Sequence, residues 1–187
     1  MCSDKLSRLE FVKPVEEIVK KAGAESFTRH FLSLNHRDIS RAQRVIICGT
    51  ALKDFKYLDC TSKFAWIKES RKPILGICAG MQILARLFNG RIIERTRIGR
   101  YKVTIIRKSS LTSKDEFYSY FLNSKAVEPN EDFEALGKSG NLTCIIKHKH
   151  REFYGCLFHS EVLNPEIITE FPQLEKSAPN ANRLIGT

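Results

Sequence analysis

Cys78 stands where two apolar runs meet, "PILGIC" (73–78) and "AGMQILARLF" (79–88), with Gly76 and Gly80 on either side of it. The first run reads as a short buried strand, and the second as a helix ended by Asn89 and Gly90. A cysteine on a sharp strand-to-helix turn projects beyond the carboxyl edge of a sheet. The positive end of the helix favours the thiolate there, and the N–H of the next residue, Ala79, can hold an oxyanion as it develops. Gly76 and Gly80 would relieve the crowding of such an elbow, the mechanical reason that glycines surround the serine of G-x-S-x-G enzymes. The chemistry on offer is attack of a thiolate on a carbonyl carbon. Spacing alone leaves a buried structural thiol as an equal alternative. His159, in "YGCLFHSEV" (154–162), read by itself is a strand histidine satisfied in a core.

The elements that must position Cys78 alternate. "VEEIVKKAGAESFTRHFLSL" has apolar residues at helical intervals (Val15, Ile18, Val19, Ala22, then Phe27 and Phe31), and Pro14 suits the first turn of that helix. "RVIICGT" is a β-branched run closed by glycine, a buried strand and turn, and "FAWIKESRK" reads as a short helix before "PILGIC". After Gly90 the pattern changes to strand-like pieces separated by turns: "RIGRYKVTIIRKSS", "FYSYFLNSKAVEP", "FEALGKSGN", "LTCIIKHKH" and "EFYGCLFHSEV". The expected class is α/β, an open mixed sheet with a mostly parallel centre, later strands pairing antiparallel, and helices on both faces. "PEIITEF" (165–171) reads as a short closing helix, and residues 172–187 as a polar, flexible tail.

Composition narrows the classes. At 187 residues and 42% hydrophobic content, one domain over 1–187 is expected. The first twenty residues carry charges throughout and do not resemble a signal peptide, and no run is long enough to span a bilayer, so a soluble, cytoplasmic protein without membrane contact is expected. The net charge of +10 is dispersed among acids rather than gathered into a stripe, which favours a solvated basic surface or an acidic partner over nucleic acid. Six cysteines without paired short spacings indicate neither a zinc site nor a disulfide framework. His148 and His150 in "KHKH" would share a strand face, read as solvated rather than metal-binding.

"GICAGMQ" (76–82) resembles the nucleophile motif of class I, triad-type glutamine amidotransferases, G-[aliphatic]-C-x-G-x-Q, at every fixed position, and "YGCLFHSEV" resembles that family's "YGVQFHPEV". The resemblance runs from about residue 40 to 171 and implies the flavodoxin-like fold of that family. It implies that Cys78 is the nucleophile, His159 its base and Glu161 the acid that orients the imidazole. It implies an oxyanion hole from Ala79 and from Gly49 or Thr50 in "VIICGTALKD", where the family has "SGGP"; a second glycine and the proline are absent. Gln82 matches the glutamine that lines the substrate pocket. "FYSYFLNSKAV" resembles the segment whose backbone receives the ends of the substrate, with Tyr120, Phe121 and Asn123 as pocket residues. Leu157 and Ser160 stand where the family has glutamine and proline, and Ser160 loosens the approach to Glu161. "RLEFV" (8–12) is the only candidate for the family's first strand.

The implied activity is hydrolysis of the glutamine side-chain amide through a γ-glutamyl thioester, with no cofactor and no metal. The chain has no Walker-type loop and no room for an acceptor domain, so a free-standing glutaminase feeding ammonia to a separate synthetase is expected. Among such subunits it most resembles the glutaminase of archaeal-type GMP synthases. A catalytically degenerate binding subunit, suggested by the altered Gly49 loop and Ser160, and a γ-glutamyl hydrolase remain the alternatives.

Overall fold

The structure is a computed structural model and describes residues 5–171. Seven strands form one mixed sheet: β1 (Val45–Ile47), β2 (Ile74–Ile77), β3 (Arg91–Ile105), β4 (Glu116–Glu128), β5 (Phe133–Ser139), β6 (Leu142–His148) and β7 (Phe153–Cys156). Their order is β1-β2-β7-β6-β5-β3-β4. β1, β2 and β7 are parallel, and every later pairing is antiparallel. The parallel strands stand together at one end of that order, and β7 is the hinge between the two regimes. In register, Ile77 of β2 lies beside Cys156 of β7. The loops after β2 and after β7 therefore leave the sheet side by side.

β2 and β7 are buried along their whole length, which is why their sequences are continuous apolar runs without alternation. α5 (Ala79–Leu87) follows β2 and packs on β2 and β7, with every residue but Arg86 buried. It stops where the sequence predicts. Asn89 takes a left-handed φ of +63°, its N–H donates to Arg86 O, and Gly90 N–H donates to Ala85 O, a closed C-cap.

The N-terminal region differs from expectation. "RLEFV" is not a strand: α1 (Lys5–Phe11) covers most of it, and α2 (Lys13–Lys21) follows at once with Pro14 in its first turn. Phe11 and Val15, four apart and on one face, are the apolar residues of these helices that bury, and Ser7 is buried one turn before Phe11. The helical spacing does not run on to Phe31. Gly23, at φ +78°, ends α2 with Gly23 N–H donating to Lys20 O and Ala24 N–H to Val19 O, the same cap that ends α5. α3 (His36–Arg41) carries its own capping box from Asn35 and Asp38. α4 (Lys56–Asp59) and a 3-10 helix (Thr61–Glu69), where "FAWIKESRK" predicted a short helix, lead into β2. α6 (Ser160–Leu163) and α7 (Glu166–Thr169) close the described chain. The expected tail at 172–187 lies outside the described residues. His148 is not on a solvated face: it is buried, edge-on to Phe88 and Phe133.

Candidate active site

Cys78 takes the strain of the β2–α5 junction in its own backbone, with φ +50° and ψ −102°. L side chains rarely adopt such a conformation, which costs on the order of 1–3 kcal/mol. Its N–H donates to Cys156 O at 2.7 Å, and its carbonyl accepts the Gln82 N–H at 3.2 Å, so strand and helix both hold the elbow. The two flanking glycines are required by close approach. A Cβ on Gly76 would lie 2.4 Å from the carbonyl carbon of Gly80, and one on Gly80 would lie 2.2 Å from Ile47 O on β1.

The loop after β7 brings His159 to this elbow. Its N–H donates to Tyr120 O at 2.8 Å, which pins the loop to β4. His159 Nδ1–H donates to Glu161 Oε1 at 2.7 Å, and both side chains are only 2% exposed. Ser160 does not leave this approach open: Val162 N–H donates to His159 O and Asn164 N–H to Ser160 O, so Glu161 sits on the helical turn α6. Nε2 of His159 is buried with no hydrogen bond of good geometry. Burial would lower the affinity of this imidazole for a proton, but hydrogen bonds and charge from Cys78 and Glu161 outweigh it and push its pKa up to about 10. Gly49 closes the third side; a Cβ there would lie 2.7 Å from His159 Cε1 and 3.5 Å from Cys78 Cβ. Phe11 of α1 covers the imidazole with ring centroids 5.3 Å apart.

A small cavity opens on Cys78 between the Thr50–Phe55 segment, α4, the start of α5, and Leu122 to Lys125 of β4. Thr50 and Ala79 line it, and Thr50 Oγ1–H donates to Asp54 Oδ2 at 3.0 Å. Gln82 also lines it, 2% exposed, with both ends of its amide engaged by Tyr57 and by Lys125 O. Asn123 Nδ2 donates to Arg95 O and Lys125 O, which leaves Oδ1 buried without a partner.

Two expected pocket residues lie elsewhere. Phe121 is fully buried and stacks edge-on to Phe158 and Tyr101, so the core takes its side chain and the cavity does not. Tyr120 gives the site its backbone carbonyl rather than a wall. Nothing in the sequence marks Tyr57 or Phe11 as a site residue. No motif surrounds either, and only the packing of α4 and α1 against the elbow reveals them.

A family model for glutamine amidotransferase class-I matches residues 17–171. The chain belongs to that family. In sequence, this class-I amidotransferase is similar to the GMP synthase [glutamine-hydrolyzing] of Aquifex aeolicus (strain VF5), 33% identical over 104 residues that cover 51% of this chain and 20% of the relative. It is 36% identical over 101 residues to that of Staphylococcus epidermidis (strain ATCC 12228 / FDA PCI 1200), covering 50% of this chain and 19% of the relative. It thus spans about a fifth of the length of the curated relatives it matches. In fold it is similar to a putative GMP synthase subunit from Thermoplasma acidophilum, with TM-score 0.79, 20% identity and 84% of each chain covered. A glutamine amidotransferase from Thermotoga maritima gives TM-score 0.67 at 19% identity, covering 79% of this chain and 69% of that one. Among the described residues of this amidotransferase, no helix is long and apolar enough to cross a membrane.

Proposed function

We propose that this class-I amidotransferase is a glutaminase that cleaves the side-chain amide of glutamine with Cys78, His159 and Glu161 and passes the ammonia to a separate synthetase. The observation that carries the reading is the buried 2.7 Å His159–Glu161 pair set beside a cysteine on a strained elbow. A carboxylate on Nδ1 fixes the tautomer, so the reactive nitrogen is Nε2, the one that has no other partner.

The chemistry then runs in two balanced halves. The Cys78 thiolate adds to the amide carbon, and the oxyanion that forms is held by the Ala79 N–H at the start of α5 and by an N–H of the Gly49–Thr50 turn. His159, protonated, gives its Nε2 proton to the leaving nitrogen, ammonia departs, and a γ-glutamyl thioester remains on Cys78. Neutral His159 next takes a proton from water, the hydroxide adds to the thioester carbon, and glutamate leaves as the thiolate–imidazolium pair is restored. Gln82 and the unpartnered Oδ1 of Asn123 supply a donor and an acceptor for the substrate. No cofactor or metal is required, and the chain is read as one cytoplasmic domain. Likeness in sequence to glutamine-hydrolysing GMP synthases, and in fold to the Thermoplasma acidophilum protein, favours a GMP synthase as the partner.

The test is peptide mapping after exposure to an electrophilic glutamine analogue, with glutamine as competitor. Glutamine-protected labelling of Cys78 is expected. Labelling that glutamine does not slow, with or without a synthetase added, would rule the reading out.

A further inference from the structure

Tyr57 lies on α4, a single helical turn in a stretch with no recognised motif, yet it is only 2% exposed and lines the cavity beside Cys78, Ala79 and Gln82. Its hydroxyl lies 2.5 Å from Gln82 Oε1, and the other end of the same amide donates from Nε2 to Lys125 O at 3.1 Å. The second contact decides the first. A backbone carbonyl can only accept, so the Gln82 NH2 must face Lys125, and its oxygen must face Tyr57, whose O–H is then the donor. The orientation of the carboxamide is fixed by these two contacts, and Gln82 keeps one Nε2–H and one Oε1 lone pair beyond them.

We propose that Tyr57 is a positioning residue: by locking the Gln82 carboxamide it fixes which way the amide faces, so that the second Nε2–H is presented to an oxygen of the bound substrate. The inference rests on the glutaminase reading and adds to it the atom type that Gln82 binds. Burial, with Cys78 and Asp54 nearby, pushes the Tyr57 phenol well above its ordinary range, so this donor keeps its proton even beside a thiolate.

Tyr57→Phe in the full chain tests it, with steady-state glutaminase kinetics and with glutamine protection of Cys78 against iodoacetamide. Losing one hydrogen bond that orders the binding group is expected to raise KM and the half-protecting glutamine concentration about tenfold. Because the lock acts on ground state and transition state alike, kcat should stay within about twofold. Gln82→Leu should weaken glutamine binding similarly, and Tyr57→Phe added to it should cost nothing further. Unchanged glutamine affinity in Tyr57→Phe, additive effects in the double variant, or a fall in kcat at constant KM would each overturn the assignment. If glutamine fails to protect Cys78 in the wild type, the glutaminase reading falls and takes this one with it. Protection that is equal in wild type and Tyr57→Phe sinks this one alone.

Discussion

A Cβ on Gly49 would stand 2.7 Å from Cε1 and 3.4 Å from Nδ1 of His159, so the imidazole rests directly on the backbone of the turn after β1. The absent side chain is what lets the ring reach Cys78. Gly49→Ala must push the imidazole aside by on the order of 1 Å, and a displacement of that size at a reacting group costs about 100-fold in rate. The expected outcome is a kcat loss of that order with an unfolding midpoint close to wild type. Wild-type kcat in this variant would show that the ring does not work from this position.

His159 is expected to stay protonated where an ordinary histidine is neutral. Its pKa of about 10 is set, against burial, by Cys78 and Glu161. In NMR titrations the wild-type ring should remain an imidazolium at pH 8, and both Cys78→Ala and Glu161→Gln should lower its titration midpoint. The linked effect on stability has a definite sign. A folded pKa raised above the ordinary 6.5 stabilises the protein fully below pH 6.5, and the contribution is lost as pH rises through about 10. Denaturation of wild type and His159→Gln across that window should show the difference between them shrinking. A constant difference would contradict the raised pKa.

The elbow predicts a conflict between stability and activity. At φ +50° and ψ −102° the Cys78 backbone suits glycine better than any L residue. Cys78→Gly and Cys78→Ala should both lack glutaminase activity, but Cys78→Gly should be the more stable by about 1 kcal/mol, the relief of strain exceeding the extra freedom of an unfolded glycine. Chemical denaturation of the two variants decides it. Equal stability, or greater stability of Cys78→Ala, would mean that the elbow is unstrained.

The parts of this fold that were legible in the sequence are those written in local pattern. β2 and β7 are buried throughout, so "PILGIC" and "FYGC" are unbroken runs without a charge, and the Asn89–Gly90 stop of α5 is a cap with its own chemistry. The same cap at Gly23–Ala24 is equally present, but the apolar spacing that continues to Phe31 masks it. "RLEFV" looks extended only if Phe11 and Val12 are weighed without Val15, whose burial on the same helical face as Phe11 decides the matter. Phe121 and Tyr57 show the limit. Both are aromatic, both lie near the site in space, and whether a ring faces the core or the cavity depends on what packs over it, which no spacing along the chain records.

The cavity over Cys78, about 10 Å3, has room for about one water, so on the glutaminase reading its lining has to open to admit glutamine, and the Thr50–Phe55 segment is the part of that lining that belongs to neither a strand nor a helix. What holds that segment down is visible on β4. Ser124 Oγ–H donates to Leu52 O at 3.3 Å, and the Lys125 ammonium lies 4.6 Å from the centre of the Phe55 ring while pairing with Glu94 of β3. A cation over an aromatic face contributes about 0.5–2 kcal/mol depending on desolvation. Phe55→Ala removes that contact and leaves Gln82, Tyr57 and the backbone of Lys125 in place. It should therefore open the cavity more often, and alkylation of Cys78 by iodoacetamide should quicken about three- to tenfold without a change in its products. Lys125→Ala should act in the same direction, and Phe55→Ala added to it should gain little, because both remove one contact. An unchanged alkylation rate in Phe55→Ala would show that the ring does not gate the thiol, and that entry to Cys78 is limited by another part of the segment.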